Sequence, residues 1–443
     1  MELFEKILNE ISGYIWGIPL LVLLVGTHVF LTFRLKFIQR YIPQAIRLSF
    51  SSKKEGEGDI SHFGALTTAL AATIGTGNIV GVSTAIALGG PGAVLWMWLT
   101  GVFGIATKYG EAVLSIKYRI KRSDDGMWAG GPMYVLERGM NKKWLGMIFA
   151  VLTAISAFGI GNMVQSNSIS VLLNETLNIQ PWISGLVIAF FTALAILGGI
   201  TSIAKWCERL VPFMALFYIL GCLIILFMNI STIPHTIGVI VSSAFDGQAA
   251  IGGFMGAGIR EAIRFGVARG LFSNESGLGS APIVAAAAQT ENPTRQALVS
   301  STGTFWDTVV VCALTGLVVV NSGEWMNGLS GGALTKAAFA DIPYLGSFIL
   351  SIGLLTFVFS TILGWSYYGE KSAEYLFNSS KVIKPYRWLW VIATFAGSVM
   401  TLPIVWTFAD ITNGLMAIPN LISLLVLNKI IIQETQKYVW IDK

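Results

Sequence analysis

The sequence predicts an all-α polytopic membrane protein. About eleven spans are arranged as a five-plus-five inverted repeat, with one extra N-terminal transmembrane helix in front. Three observations carry that prediction. Of the 443 residues, 54% are hydrophobic and only 12% are charged, about half the charged fraction of an ordinary soluble domain. Apolar runs of spanning length recur at roughly 14–33, 63–88, 92–116, 145–172, 182–199, 211–233, 251–288, 297–320, 343–368, 388–407 and 409–428. The second and seventh runs are interrupted by polar, glycine-rich stretches, and they lie five spans apart. An odd repeat length inverts the second copy.

The same composition excludes several classes. The net charge of +5 comes from lysines and arginines scattered between apolar runs, which fits cytoplasmic loops and not a nucleic-acid surface. Cys207, Cys222 and Cys312 are widely spaced, with no CxxC pair or Cys/His cluster. Neither a disulfide framework nor a zinc site is indicated. His28, His62 and His235 are far apart and read as structural or interfacial.

The first run, Tyr14 to Phe33, follows Glu2, Glu5 and Glu10 in place of a basic leader, and no small-residue cleavage site comes after it. It reads as a retained transmembrane helix. Residues 37–52 read as a short amphipathic cytoplasmic helix, and 235–250 as a similar element on the outer surface. Orientation follows from the basic residues. Arg34, Lys36, Arg40 and Arg47 follow the first span, Lys117, Arg119, Lys121 and Arg122 the third, and Lys205 and Arg209 the fifth. Arg295 follows the seventh span, and Lys371, Lys381, Lys384 and Arg387 the ninth. The intervening loops are nearly free of them, Lys336 being the exception. This alternation sets the N-terminus outside and the C-terminus in the cytoplasm, and it supports an odd number of spans. Residues 1–61 then form the extra helix and amphipathic segment, 62–234 the first five-helix repeat, and 235–443 the second, inverted repeat with a short tail.

The centre of the second span reads Ala71-Ala72-Thr73-Ile74-Gly75-Thr76-Gly77-Asn78. Two close glycines weaken a helix by about 1 kcal/mol each. In lipid that cost is tolerated only where the freed backbone faces protein, a ligand or water. The amides that begin the second half-helix, around Thr76 to Asn78, carry partial positive charge and suit a carboxylate. The carbonyls that end the first half, around Ala71 to Ile74, suit a cation. The seventh span carries the counterpart, Arg269 to Ser280, followed by the small-residue stretch APIVAAAA. Close helix packing also explains a lone Gly-x-Gly. Two breaks at repeat-related positions favour a binding site.

Side chains for that site come from neighbouring spans. Phe158, Asn162 and Gln165 fall on one face of a regular helix in the fourth span. In the ninth, Ser360 and Thr361 set two hydroxyls side by side at mid-depth, and Trp365 lies one turn on. With nearby carbonyls these hydroxyls form a candidate sodium site. Buried charges mark further candidates: Lys108 and Glu111 as an i, i+3 pair, Arg264 and Arg269 facing Asp410 in a gate, and Glu275 and Asp307.

The stretches ALTTALAATIGTGNIVGVSTAIALGGPGAVLWMW, TKYGEAVLSIKYR, GGPMYVLERG and GVARGLFSNESGLGSAPIVAAAA resemble the alanine/glycine:cation symporter family over nearly the whole chain. That family is similar in architecture to transporters of the leucine-transporter type. The resemblance implies sodium-driven uptake of small neutral amino acids, chiefly alanine and glycine, by a multi-pass cell-membrane protein. No cofactor is implied beyond sodium as coupling ion; the partners are the amino acid, sodium and the lipid bilayer. It places the substrate carboxylate on Thr76, Gly77 and Asn78, beside Ile74. It places sodium on the carbonyls of Ala71 and Ile74 with Ser360 and Thr361. Phe272, Ser273, Asn274, Ser276 and Gly277 match the second break and bound the amine and side chain. Asn78 also matches an asparagine that some leucine-type transporters use for a second sodium; no partner position stands out, and Asp307 is the candidate.

The expected mechanism is alternating access, with no covalent chemistry. A small pocket walled by Phe158, Gln165, Phe272 and Trp365 excludes large side chains and, resting on backbone and a small void, leaves room for D-alanine. Proton coupling through Glu275 or Asp307 is the rival to sodium. A channel lacks rings of pore-lining charge, and an intramembrane enzyme lacks an HExxH, GxSxG or paired-aspartate motif within a span.

Overall fold

In lipid every backbone amide and carbonyl needs an internal partner, and the apolar runs accordingly become helices. The structure is a computed structural model that describes residues 2–51, 56–245, 258–340, 342, 345–400 and 403–439. The N-terminal part comprises α1 (Glu2–Ile15), α2 (Ile18–Arg34), α3 (Ile42–Ser49), α4 (His62–Thr73), α5 (Val82–Gly89) and α6 (Ala93–Lys117). A two-stranded hairpin, β1 (Ile120–Lys121) with β2 (Trp128–Ala129), leads to α7 (Pro132–Tyr134), α8 (Lys143–Phe158), α9 (Val164–Leu177), α10 (Pro181–Ile196), α11 (Ile200–Met228) and α12 (Ile233–Phe245). The second part holds α13 (Ile259–Asn274), α14 (Pro282–Ala285), α15 (Pro293–Thr304), α16 (Ala313–Ser322) and α17 (Gly331–Phe339). It closes with α18 (Leu345–Phe377), α19 (Ile383–Val399), α20 (Pro403–Val426) and α21 (Asn428–Tyr438).

Six helices among the described residues are long and apolar enough to cross a bilayer, and α4 with α5, bent by 54° at its break, makes a seventh. Helices α6, α10, α13 and α19 stand where the sequence places the remaining spans, but they are shorter or carry charges. The central helices are α6, which packs on α15, α13 and α2, and α18, which packs on α8, α11 and α4. Their facing sides are buried, with Trp365, Tyr367, Tyr368 and Tyr109 at no more than 1% exposure.

Several boundaries differ from expectation, each for a local reason. Trp16 and Gly17 interrupt the helix between α1 and α2, but the two together form one apolar span, Lys6–Arg34, which starts before Tyr14. Helix α11 begins at Ile200, not near 211, and keeps Lys205 and Arg209 on an exposed face. Helix α18 runs on past the apolar run to Phe377, because Lys371 finds Glu374 at 2.8 Å one turn away. The junction before the last span falls after Val399, not at 408. The short amphipathic helix expected within 37–52 is present as α3. The element expected over 235–250 is α12, with residues 246–250 outside the described residues, as are 251–257 of the seventh run.

The second break differs from the first. The expected small-residue helix is reduced to the single turn α14. Between α13 and α14 the backbone is left-handed at Glu275 (φ 55°), Gly277 (φ 91°) and Gly279 (φ 88°). A β-carbon at Gly277 would lie 2.7 Å from Leu24, and one at Gly279 2.7 Å from Pro132. Glycine is required there by conformation and by close approach together.

Candidate substrate and cation site

The first break is built by its own residues. Ser61 caps α4 by accepting from Gly64 N at 2.8 Å. The helix stops where Ile74 turns extended (ψ 97°). The amide of Gly75, left without a helical partner, donates to Asn78 Oδ1 at 2.8 Å. The chain then enters a wide π-helical turn, Gly77–Gly81. The first amides of such a segment have no partner inside it.

Two hydroxyls of α18 face the end of α4. Ser360 Oγ lies 3.2 Å from Ala71 O, and Thr361 Oγ1 lies 3.4 Å from Ile74 O. Each hydroxyl has a better acceptor in its own helix, Phe357 O, at 2.8 and 3.0 Å respectively. A hydroxyl has one proton. With that proton on Phe357, its lone pairs turn toward Ala71 and Ile74, and four oxygens confront one another without a donor. Such a cluster suits a cation. Oxygens that hold a calcium-sized ion at about 2.4 Å lie roughly 3.4 Å apart at right angles, close to the spacings found.

Beside this cluster is a cavity of ≈ 20 Å³, room for about one water. It is lined by Thr76 and Gly77 from the first break, Phe272 and Glu275 from the second, Ile160 and Gln165 from the fourth span, and Thr361 and Trp365 from α18. Gln165 donates Nε2 to Ile160 O at 2.8 Å, and its buried Oε1 has no hydrogen-bond partner. Trp365 Nε1 donates to Glu275 Oε1 at 3.0 Å, and Ser280 Oγ donates to the other carboxylate oxygen. A β-carbon at Gly75 would lie 2.6 Å from Thr361 Oγ1 and 3.8 Å from Gln165 Oε1. Gly75→Ala is therefore expected to abolish substrate binding while leaving the protein monodisperse in detergent. Calorimetric or scintillation-proximity binding of L-alanine checks this; unchanged affinity would show that the cavity is not the site.

Ala71, Ile74, Thr76, Gly77, Gln165, Phe272, Ser360, Thr361 and Trp365 are brought together. Others are not. Phe158 points away from the cavity and packs on Tyr386 and Trp390, with ring centroids 5.2 Å apart in both cases. Asn162 turns the same way: its Nδ2 donates to Trp390 O at 2.9 Å, and its Oδ1 accepts from Thr394 at 2.8 Å. A π-helical turn, Gly159–Met163, shifts the register, so Phe158 and Asn162 do not share a face with Gln165. Asn78 Oδ1 accepts from Gly75 N, and its Nδ2 donates to Asp307 Oδ1 at 2.7 Å. Ser273 donates to Asp307 Oδ2 at 3.0 Å, and Asn274 Nδ2 to Thr308 Oγ1 at 3.1 Å. Ser276 Oγ is 3.0 Å from Thr304 Oγ1, and Gly277 N donates to Glu111 at 3.0 Å. These four residues build the second break without lining the cavity.

Lys108 and Glu111 do not pair with each other. Lys108 Nζ donates to Asn274 O, the last residue of α13, at 2.8 Å. Glu111 Oε1 accepts from Gly277 N and, at 2.7 Å, from Asn420 Nδ2. In the sequence both are costly buried charges, and their spacing on one face of α6 is the only sign that they act as struts of the second break. The proposed gate is open as an ion pair: Arg269 lies over the Phe272 ring at 5.8 Å, and buried Asp410 Oδ1 has no hydrogen-bond partner. Glu111, Glu275 and Asp307 are all at least 96% buried, and each feels the charge of Lys108. Three carboxyl groups around one ammonium leave unbalanced negative charge unless protons or cations answer it.

A family model described as the sodium:alanine symporter family matches residues 1–443. The chain is 53% identical to a sodium/alanine symporter, AgcS, of Methanococcus maripaludis, over 98% of this chain and 97% of that protein. It is 37% identical to a probable sodium/glutamine symporter, GlnT, of Bacillus subtilis, over 99% of this chain and 91% of that protein. Among solved structures, MhsT in complex with L-phenylalanine superposes with a TM-score of 0.60 at 16% identity, covering 87% of this chain and 94% of that one. At that identity the likeness shows the fold alone, which is of the leucine-transporter type.

Proposed function

This chain belongs to the sodium:alanine symporter family, and from that premise we propose that it takes up alanine and glycine together with sodium through the cavity between its two broken helices. At the coarser level it is a sodium-coupled amino-acid symporter of the multi-pass plasma-membrane class and not an enzyme. The observation that carries the finer reading is the donor-free cluster of Ala71 O, Ile74 O, Ser360 Oγ and Thr361 Oγ1 against a very small cavity. Sodium in that cluster ties the first half of the broken span to α18. The substrate carboxylate sits on the amides around Thr76 and Gly77, and the ammonium is received by Gln165 Oε1. Trp365, held by Glu275, and Phe272 limit the side chain to a methyl group or less, in either enantiomer. Alternating access rocks the core helices that carry the two breaks and exposes the site to either side in turn, with the inverted repeats at 62–234 and 235–443, the N-terminus outside and the C-terminus in the cytoplasm.

The test is uptake of radiolabelled L-alanine into proteoliposomes under an inward sodium gradient and, separately, an inward proton gradient. Uptake with sodium alone, competed by glycine and D-alanine but not by leucine, is the expected result. Uptake on a proton gradient alone would overturn the cation assignment. One observation favours that second reading. Asp307, fully buried, accepts from Asn78, Ser273 and Thr308 and meets no cation directly among the described residues, so a proton on it would relieve the charge imbalance.

A further inference from the structure

A groove of ≈ 1080 Å³ runs along the outside of the molecule between α1, α2, α6 and α13, away from the central cavity. Its walls are almost wholly apolar, with Val22, Val25, Leu99, Phe103, Ile263 and Val267 among them. The three long walls run in the same direction. Gly266 of α13 meets Ala93 of α6 and Gly270 meets Met97, while on α2 His28 reaches Thr107 of α6 and Leu31 approaches Gly110. One end of the groove is therefore marked by Tyr14, Trp96 and Arg260, and the other by Val29, Phe103 and Val267. The wall from Ile18 to Val29 is about 16 Å long at 1.5 Å per residue. One leaflet of a bilayer has about 15 Å of hydrocarbon. The groove thus has the length of a single acyl layer.

The polar end carries positive charge. Arg260 and Arg264 sit one turn apart on α13, both line the groove, and both are exposed. Among the described residues neither has an acidic partner; the recorded contact of Arg264 is the Phe265 ring at 5.2 Å. Tyr14, 81% exposed, and Trp96 lie at the same end, and such rings settle at headgroup depth. At the apolar end the groove is widened by Gly26, above which an added β-carbon would meet nothing within 4 Å.

An apolar trough one leaflet long, with two guanidinium groups at its mouth that have no acidic partner among the described residues, is complementary to an anionic amphiphile. We propose that the groove binds an anionic phospholipid, its phosphate on Arg260 and Arg264 and one acyl chain laid against α2 and α13. Guanidinium is the side chain best matched to phosphate oxygens. Helix α13 is the first half of the second broken span, so this lipid lies between the substrate-bearing helix and the extra N-terminal helix.

Native mass spectrometry of the detergent-solubilised full chain, with phosphatidylglycerol or phosphatidylcholine of the same acyl chains added, reads this directly and does not depend on transport. A retained phosphatidylglycerol adduct is expected, weakened roughly tenfold to thirtyfold in Arg260→Gln/Arg264→Gln, since each basic residue near a charged lipid surface contributes a factor of several. Gly26→Leu fills the trough without touching either arginine and should lose adducts while keeping the wild-type melting temperature. Equal retention of both lipids, or adducts that survive both variants, would overturn the proposal. A mass of two chains with no lipid, broken by Gly26→Leu, would overturn it in favour of a second copy seated in the groove.

Discussion

Replacing Thr361 by alanine is expected to raise the sodium concentration that half-saturates L-alanine uptake roughly tenfold to hundredfold. The hydroxyl is one of four oxygens facing one another, 3.4 Å from Ile74 O, with its proton engaged by Phe357 O at 3.0 Å. On the proposed site its removal deletes one cation ligand, and an interaction with a charged partner contributes about 1.5–3 kcal/mol, which is the stated range in affinity. The loss should be concentrated in sodium dependence. By reciprocal linkage the apparent affinity for alanine falls at limiting sodium and recovers as sodium is raised. Thr361→Ser keeps the oxygen and should restore most of the wild-type value. Thermal stabilisation by sodium without substrate provides the second readout, because an ion that binds the folded state raises its stability by mass action. An unchanged sodium response in both Thr361→Ala and Ser360→Ala would remove α18 from the cation site.

Replacing Lys108 by methionine should cost the fold itself, by about 3 kcal/mol or more. Methionine fits the space of the aliphatic stem, so the effect is electrostatic. Lys108 Nζ binds Asn274 O at 2.8 Å, where the carbonyls at the end of α13 gather partial negative charge. Glu111, Glu275 and Asp307, all buried, feel the same ammonium. Without it, a buried carbonyl loses its donor and the carboxyl groups lose their counter-charge. The melting temperature in detergent and the monodisperse yield should both fall sharply. Adding Glu111→Gln to Lys108→Met should recover part of the loss, because the two positions share one charge balance and are not additive. If Lys108→Met melts like the wild type, the second break is held by packing and not by this ammonium.

Much of this was legible in the sequence. The first break needed only Gly75 and Gly77 in a run of spanning length, because lipid offers no other way to satisfy an interrupted helix. The neighbouring hydroxyls Ser360 and Thr361 needed only their depth in an apolar run. The face of the fourth span was misjudged because regular spacing puts Phe158 and Asn162 with Gln165, while the π-helical turn Gly159–Met163 inserts a wider turn between them. No residue pattern announces such a turn in advance; Gly161 permits it, and the close approach of Trp365, 2.4 Å from where a β-carbon would sit, uses it.

What the sequence determined by itself is the membrane class and the position of both breaks, since these follow from burial in lipid and the backbone's need for partners. What only the tertiary structure decided is which polar side chains face the cavity and which hold the breaks. Asn78, Ser273, Asn274 and Gly277 share the motif with Thr76, Phe272 and Glu275, yet they bond to Asp307, Thr308 and Glu111 from other spans. In a dry interior a polar group goes to the nearest partner that satisfies it, and that partner is set by three-dimensional packing, not by its neighbours along the chain.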